Sequence, residues 1–286
     1  MTPTLVRRNQ PHSESMPHVD LCARARDWAE IQERMLVPLY EAVYERLEIG
    51  SGTRLLGLGC GSGLALLMAA RRGASVTGVD PSSPERLVLA RERLLSDAAP
   101  GTRACVDARL IDGGPADAAV PAGSAYNLVT AFQPIGCMAG DSEGLGELLA
   151  AAAPLAQRGT RVVLAGWGPP ERCATSSVLR VATKLADPLR STGSWRPALR
   201  DDLEEVAQRA GLRPDGSGRV ACPFGYADMD SAVRGLLSTG LFDAAAAATD
   251  QAQVDKELRE ALHPHQRADG TVWMPNIFRY LVARTA

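Results

Sequence analysis

Apolar residues recur along this chain with two periods, and the alternation between them lays out the fold. From Cys22 to Leu47, Trp28, Ile31, Met35, Leu36, Leu39, Val43 and Leu47 are spaced by threes and fours, one face of a helix with an expected kink at Pro38. After the turn Gly50-Ser51-Gly52, Arg54–Leu58 reads as a strand, Leu64–Arg72 as a helix and Ser75–Val79 as a second strand. A helix over Pro84–Leu95, strands over Thr102–Val106 and Tyr126–Phe132, a helix over Glu143–Leu155 and a strand over Thr160–Ala165 continue the pattern. Strands and helices in that order predict an α/β fold with a doubly wound, mostly parallel sheet.

Beyond Gly166 the rhythm changes. Helices are expected at Thr175–Leu185 and Arg200–Ala210, a strand at Arg219–Pro223, and a long helical stretch from Met229 to Leu262. Asn276–Ala283 reads as a last strand, expected to pair antiparallel with Arg219–Pro223 at the sheet edge and to complete seven strands. The expected organisation is a flexible arm over 1–20, an N-terminal helical lid over 21–49 and one α/β domain over 50–286. A substrate-side helical insertion is expected at about 225–265.

Composition narrows the class. With 45% apolar and 22% charged residues in 286, the chain can bury one large core. Lys and Arg total 31 against 33 Asp and Glu, and no basic run stands out, so neither nucleic acid nor an anionic membrane is an expected partner. Apolar runs stop far short of the roughly 20 residues of a membrane span, and the polar N-terminus has no secretory core. The six cysteines are scattered without a C-x-x-C pair, which argues against a disulfide framework or a zinc cluster and fits a cytoplasmic protein. The helical additions at both ends offer surfaces for a homodimer.

The chemistry concentrates where the first strand meets its helix. Gly59-Cys60-Gly61-Ser62-Gly63 occupies that turn, where glycines permit a tight bend and close approach of a ligand. A dinucleotide fingerprint starting at Gly59 needs glycine where Leu64 stands, and starting at Gly57 it fails at Ser62. The loop therefore suits a ligand without a pyrophosphate, such as a nucleoside joined to an amino acid. Asp80, after the second strand, can accept from both hydroxyls of a ribose. Asp107, expected to follow a third strand, can read an exocyclic amine, with the Ala108 backbone as the complementary donor.

Leu55 to Gly63, then Gly78-Val79-Asp80, then Val106-Asp107-Ala108, resemble class I S-adenosylmethionine-dependent methyltransferases of Rossmann-like fold, over roughly Gly50 to Gly168. The resemblance implies S-adenosylmethionine as cofactor. Gly59, Gly61 and Gly63 would border its methionine part, Asp80 would hold its ribose and Asp107 with Ala108 its adenine, with Gly57, Cys60 and Pro81 also among the cofactor-binding residues. Phe132 and Gln133 match positions that flank cofactor and substrate. Two positions depart from the pattern: Gly57 and Asn127 stand where such enzymes usually carry acidic residues.

The resemblance further implies methyl transfer to a small molecule, a natural product or other secondary metabolite, by in-line displacement. The alternative is a non-methylating reaction on the same fold, such as a cyclisation. Trp28 and Trp167 are the candidate substrate contacts, and His263 and His265, the one histidine pair, the candidate bases. No metal site is expected, because no cysteine or carboxylate stands at ligand spacing from that pair.

Overall fold

The computed structural model describes residues 19–95, 107–121, 125–136, 140–186 and 202–286. Its elements run α1 (Leu21–Asp27), α2 (Val37–Arg46), β1 (Arg54–Leu58), α3 (Leu64–Ala70), β2 (Ser75–Val79), α4 (Pro84–Leu95), β3 (Ala108–Ile111), β4 (Tyr126–Ile135), α5 (Asp141–Ala152) and β5 (Ala156–Trp167). There follow α6 (Thr175–Ala186), α7 (Asp202–Arg209), β6 (Arg213–Ala221), β7 (Phe224–Tyr226), α8 (Met229–Leu237), α9 (Asp243–Ala248), α10 (Gln251–Leu262), β8 (Val272–Met274) and β9 (Ile277–Arg284).

Seven strands form one sheet in the order β3-β2-β1-β4-β5-β9-β6, and β7 with β8 form a separate two-stranded ribbon. The sheet is parallel except for β9, which runs antiparallel to both β5 and β6. The antiparallel last strand is thus present, one place in from the border, with β6 outermost. Strand order reverses between β1 and β4, so the crevice at the carboxyl ends of those two strands is where an open α/β sheet takes its ligand.

Helices on both faces bury the central strands twice over, which is why their sequences run apolar without a break. Leu55, Val163 and Ala165 face the cluster built with α2, α3 and α6, whereas Leu56, Leu58, Val162 and Leu164 face α5 and α7. Successive side chains of one strand point to opposite faces, and each face is a core.

Several expectations shift. Pro38 does not kink its helix; it lies in the first turn of α2, where a missing N–H costs nothing. The break is upstream, where Trp28–Gln32 forms a π turn and Glu33–Leu36 a 3-10 turn. The long Met229–Leu262 helix is three helices, with Asp228 and Asp250 capping α8 and α10 through the N–H groups of Ser231 and Gln253. The strand expected over Thr102–Val106, and all but the last two residues of the arm, lie outside the described residues. Among the described residues no helix is long and apolar enough to cross a membrane.

Candidate active site

One cleft opens at the carboxyl ends of β1, β4 and β5, and the glycine loop is its floor. Gly59 and Gly61 have φ of +59° and +57°, left-handed values that a side chain makes costly. The loop is held from beneath by Asp80, only 2% exposed. Its carboxylate accepts from the Gly61 N–H at 2.9 Å, the Ser82 N–H at 2.9 Å and the Ser82 hydroxyl at 2.5 Å. A carboxylate offers about four lone-pair sites, so Asp80 holds the loop and keeps capacity for a ligand hydroxyl. Pro81 turns outward, exposed, at the start of the segment leading to α4. Cys60 lines the cleft, but burial and the nearby Asp80 charge push its thiol well above the ordinary range, so it stays protonated.

The roof comes from the N-terminal helices. In an α-helix, residues five apart point about 140° away from each other. The π turn cancels that offset: the Glu33 N–H bonds to the Trp28 carbonyl, so both side chains stand over the same floor. Arg93 of α4 fixes this segment, donating to the Glu33 carboxylate at 2.7 Å, to Ser62 Oγ at 2.8 Å and to the Ala29 carbonyl at 2.7 Å. The Ser62 hydroxyl donates to the same Glu33 oxygen. Burial outweighs these contacts and raises the Glu33 pKa. Arg86 lies over the Trp28 ring, 4.3 Å from its centroid, and donates to the Ser238 carbonyl at 2.8 Å.

Beyond the loop the cleft turns aromatic. Phe132, in β4 just past Ala131, the strand's last residue paired with β1, packs against Tyr40 with ring centroids 4.8 Å apart. Trp167, at the end of β5, lies 4.5 Å from the Phe278 ring and 5.8 Å from Phe224. Gln133 lines the wall near Gly59. Among the described residues no histidine lines this cleft and its carboxylates are Glu33 and Asp80, while burial keeps the Tyr40 phenol protonated.

No family model and no curated protein matches the chain. Solved structures do match. Over 86% of the chain and 97% of its own length, a Bacillus halodurans protein described as a methyltransferase has a TM-score of 0.52 at 13% identity. YjhP of E. coli reaches 0.52 over 92% of the chain and 99% of its own length at 19% identity. Magnesium protoporphyrin IX methyltransferase of Synechocystis, solved with bound S-adenosylhomocysteine, reaches 0.50 over 89% and 83% at 15% identity. The chain has the class I methyltransferase fold.

On that fold, Gly57, Gly59, Cys60, Gly61, Asp80, Phe132, Gln133, Trp28 and Trp167 meet around one cleft. Gly63 supports it from behind, where a Cβ would stand 2.9 Å from the Ala90 Cβ. Asp107 and Ala108 are not brought there. Ala108 pairs with Val76 at the start of β2, and the Asp107 side chain accepts from the Ser75 hydroxyl at 2.8 Å. Five residue steps along the strand, roughly 16 Å, lead from Ser75 to Asp80, so Asp107 sits at the opposite edge of the sheet. The strand expected to end at Val106 lies outside the described residues, and β3 begins at Ala108, after Asp107. The acid at the cleft-side end of β3 is Asp112, next to Ile111, whose carbonyl accepts from the Asp80 N–H. The Gly113-Gly114 break following Ala108–Ile111 was the available signal.

His263 and His265 also lie elsewhere. They form a 3-10 turn after α10, and His265 lines a separate hollow with Trp273 and Arg172. Phe224 faces the cleft while Trp273, one pairing step along the β7–β8 ribbon, faces that hollow, so the ribbon separates the histidines from the cleft. Glu33 was missed because its place between Ile31 and Met35 reads as the polar side of an unbroken α-helix. Asn127 is structural: it accepts from the Arg54 N–H at 2.8 Å and donates to the Gly52 carbonyl at 2.9 Å, latching β1 at the edge away from the cleft.

Proposed function

We propose that the chain is an S-adenosylmethionine-dependent methyltransferase acting on a small, largely apolar molecule. The observation that carries this reading is the single cleft joining the Asp80-braced glycine loop to an aromatic chamber at the sheet's switch point. The residues fit such a cofactor on their own evidence. Gly61 leaves open the space that a Cβ would occupy 3.2 Å from the Trp28 indole nitrogen, and that buried nitrogen has no partner among the described residues. An unmet buried donor beside a side-chain-free loop calls for a polar ligand.

Asp80 would hold the ribose hydroxyls, Gly59 and Gly61 the chain linking nucleoside to amino acid, and Phe132 with Gln133 the boundary with the acceptor. Asp112 replaces Asp107 as the candidate at the adenine end. The bound cofactor supplies an electrophilic methyl on a sulfonium, so the leaving group is already activated. What the chain contributes is alignment and exclusion of water. Trp167, Phe224, Phe278 and Tyr40 shape a chamber for a flat apolar acceptor. Residues 21–49 and about 225–265 act as two lids, clasped by Arg24 to Asp243 at 2.8 Å and by Arg234 to Asp27.

Calorimetric titration with S-adenosylhomocysteine tests cofactor binding, and transfer of labelled methyl to apolar acceptors tests the reaction. Absence of any binding defeats the reading. Among the described residues the aromatic chamber offers no ready base, which favours a second reading: a cyclisation or other non-methylating reaction in the same cleft. Product formed without release of S-adenosylhomocysteine selects it.

A further inference from the structure

The strand that delivers the glycine loop carries no acid: Gly57 has no side chain, and a Cβ there would stand 2.9 Å from Leu66 Cδ2. Among the described residues the carboxylates in the cleft are Asp80, whose oxygens are turned to Gly61 and Ser82, and Glu33. The Glu33 carboxylate accepts from Arg93 and Ser62 through Oε2 and also meets the Leu64 N–H, while Oε1 reaches over the loop, 3.4 Å from where a Gly61 Cβ would lie. The unpartnered Trp28 Nε1–H comes within 3.2 Å of the same point. A carboxyl acceptor and an indole donor thus converge on one small, side-chain-free space. Both arrive through the π turn, which alone puts residues five apart side by side.

We propose that Trp28 and Glu33 form the recognition site for the α-amino-acid end of the ligand. The Glu33 carboxylate receives the ammonium and the Trp28 indole N–H donates to the carboxylate. The inference rests on the cleft taking S-adenosylmethionine, and it moves the acidic contact from the strand to the N-terminal lid. Lid docking and capture of the amino-acid end are then one event, since Arg93 locks the π turn to Ser62 of the loop itself.

Calorimetric titration of the full chain with S-adenosylhomocysteine and with 5′-methylthioadenosine, which lacks the amino-acid end, tests this. In the unaltered protein the former should bind more tightly. Glu33→Gln should weaken S-adenosylhomocysteine on the order of ten- to hundredfold, the range of a hydrogen bond to a charged group, and leave methylthioadenosine within twofold. Trp28→Phe keeps the ring beneath Arg86 and should weaken S-adenosylhomocysteine about three- to tenfold, with no effect on a decarboxylated analogue. Equal affinity of the unaltered protein for both nucleosides overturns the inference while the cofactor reading stands. So does equal weakening of both by Glu33→Gln, which marks a packing role. Loss confined to S-adenosylmethionine, sparing S-adenosylhomocysteine, assigns the charge to the sulfonium and overturns it too. If the unaltered protein binds neither nucleoside, the cofactor reading falls and takes the inference with it.

Discussion

The two ends of the central strands carry the same residue types and use them differently. At the carboxyl end Asp80 is buried beneath the glycine loop and Gln133 borders the cleft. At the amino end Asp107 bonds the Ser75 hydroxyl in the open, and Asn127 ties β1 to the preceding turn. An acid or an amide in this sheet faces the cleft or latches the scaffold according to which end of a strand it follows. In a parallel sheet every strand delivers its chain to the same edge, so ligand contacts accumulate there and latches accumulate opposite.

Asp80 gives that contrast its largest expected effect. Asp80→Ala strips three donors of their acceptor, two of them loop N–H groups, and should cost about 2–4 kcal/mol of stability. That corresponds to a melting temperature lower by roughly 4–10 °C. Affinity for S-adenosylhomocysteine should fall at least on the order of a hundredfold, loop distortion adding to the lost contacts. Asp107→Ala should leave calorimetric affinity unchanged and stability within about 0.5 kcal/mol, as for other exposed sites. A loss of affinity with Asp107→Ala comparable to that of Asp80→Ala would break the division between the two ends.

That contrast also marks what could be read in advance. β1, β2 and α4 have the boundaries their sequences announce, because a glycine loop, a Gly-Val-Asp strand end and Pro84 in a first turn are local signals that tertiary packing does not override. The third strand has no such signal ahead of it. A strand ending just before Asp107 would carry that acid to the cleft, whereas β3, starting just after it, leaves it at the opposite edge, since a shift of a few residues in a strand is a shift of its whole length. The π turn was hidden for a different reason. An apolar stripe at three- and four-residue spacing survives one irregular turn, so Ile31 and Met35 kept their places while Glu33 changed sides. The histidine pair shows the limit of reasoning by residue type, because its place beside the β7–β8 ribbon depends on the pairing of Met274 with Phe224, which is remote from it in sequence.

The amides sharpen the comparison with smaller effects of opposite kind. Asn127→Ala removes one bond to the Arg54 N–H and one to the Gly52 carbonyl, and should lower stability by about 1–2 kcal/mol in chemical denaturation. S-adenosylhomocysteine affinity should stay within twofold. Gln133→Ala, with its side chain exposed at the cleft wall, should leave the denaturation midpoint in place and weaken the same ligand about threefold. Exchange of these two outcomes would show that the edges have been assigned the wrong way round.

The smallest effect belongs to the histidines behind the ribbon. Partial burial lowers the His265 pKa, so its imidazole is neutral at pH 7. The sign of its contribution follows: a depressed folded-state pKa adds stability that is present above the unfolded value and is lost as pH falls through the folded one. His265→Ala abolishes that term, so melting curves of variant and parent should draw together by about a degree between pH 7 and pH 5. Over the same range S-adenosylhomocysteine affinity should be the same in both, and His263→Ala, at an exposed position, should match the parent throughout. A methyl-transfer rate whose acid limb vanishes in His265→Ala would place that imidazole at the reacting centre. The ribbon would then have to open, and β7 and β8 would be a gate rather than a wall.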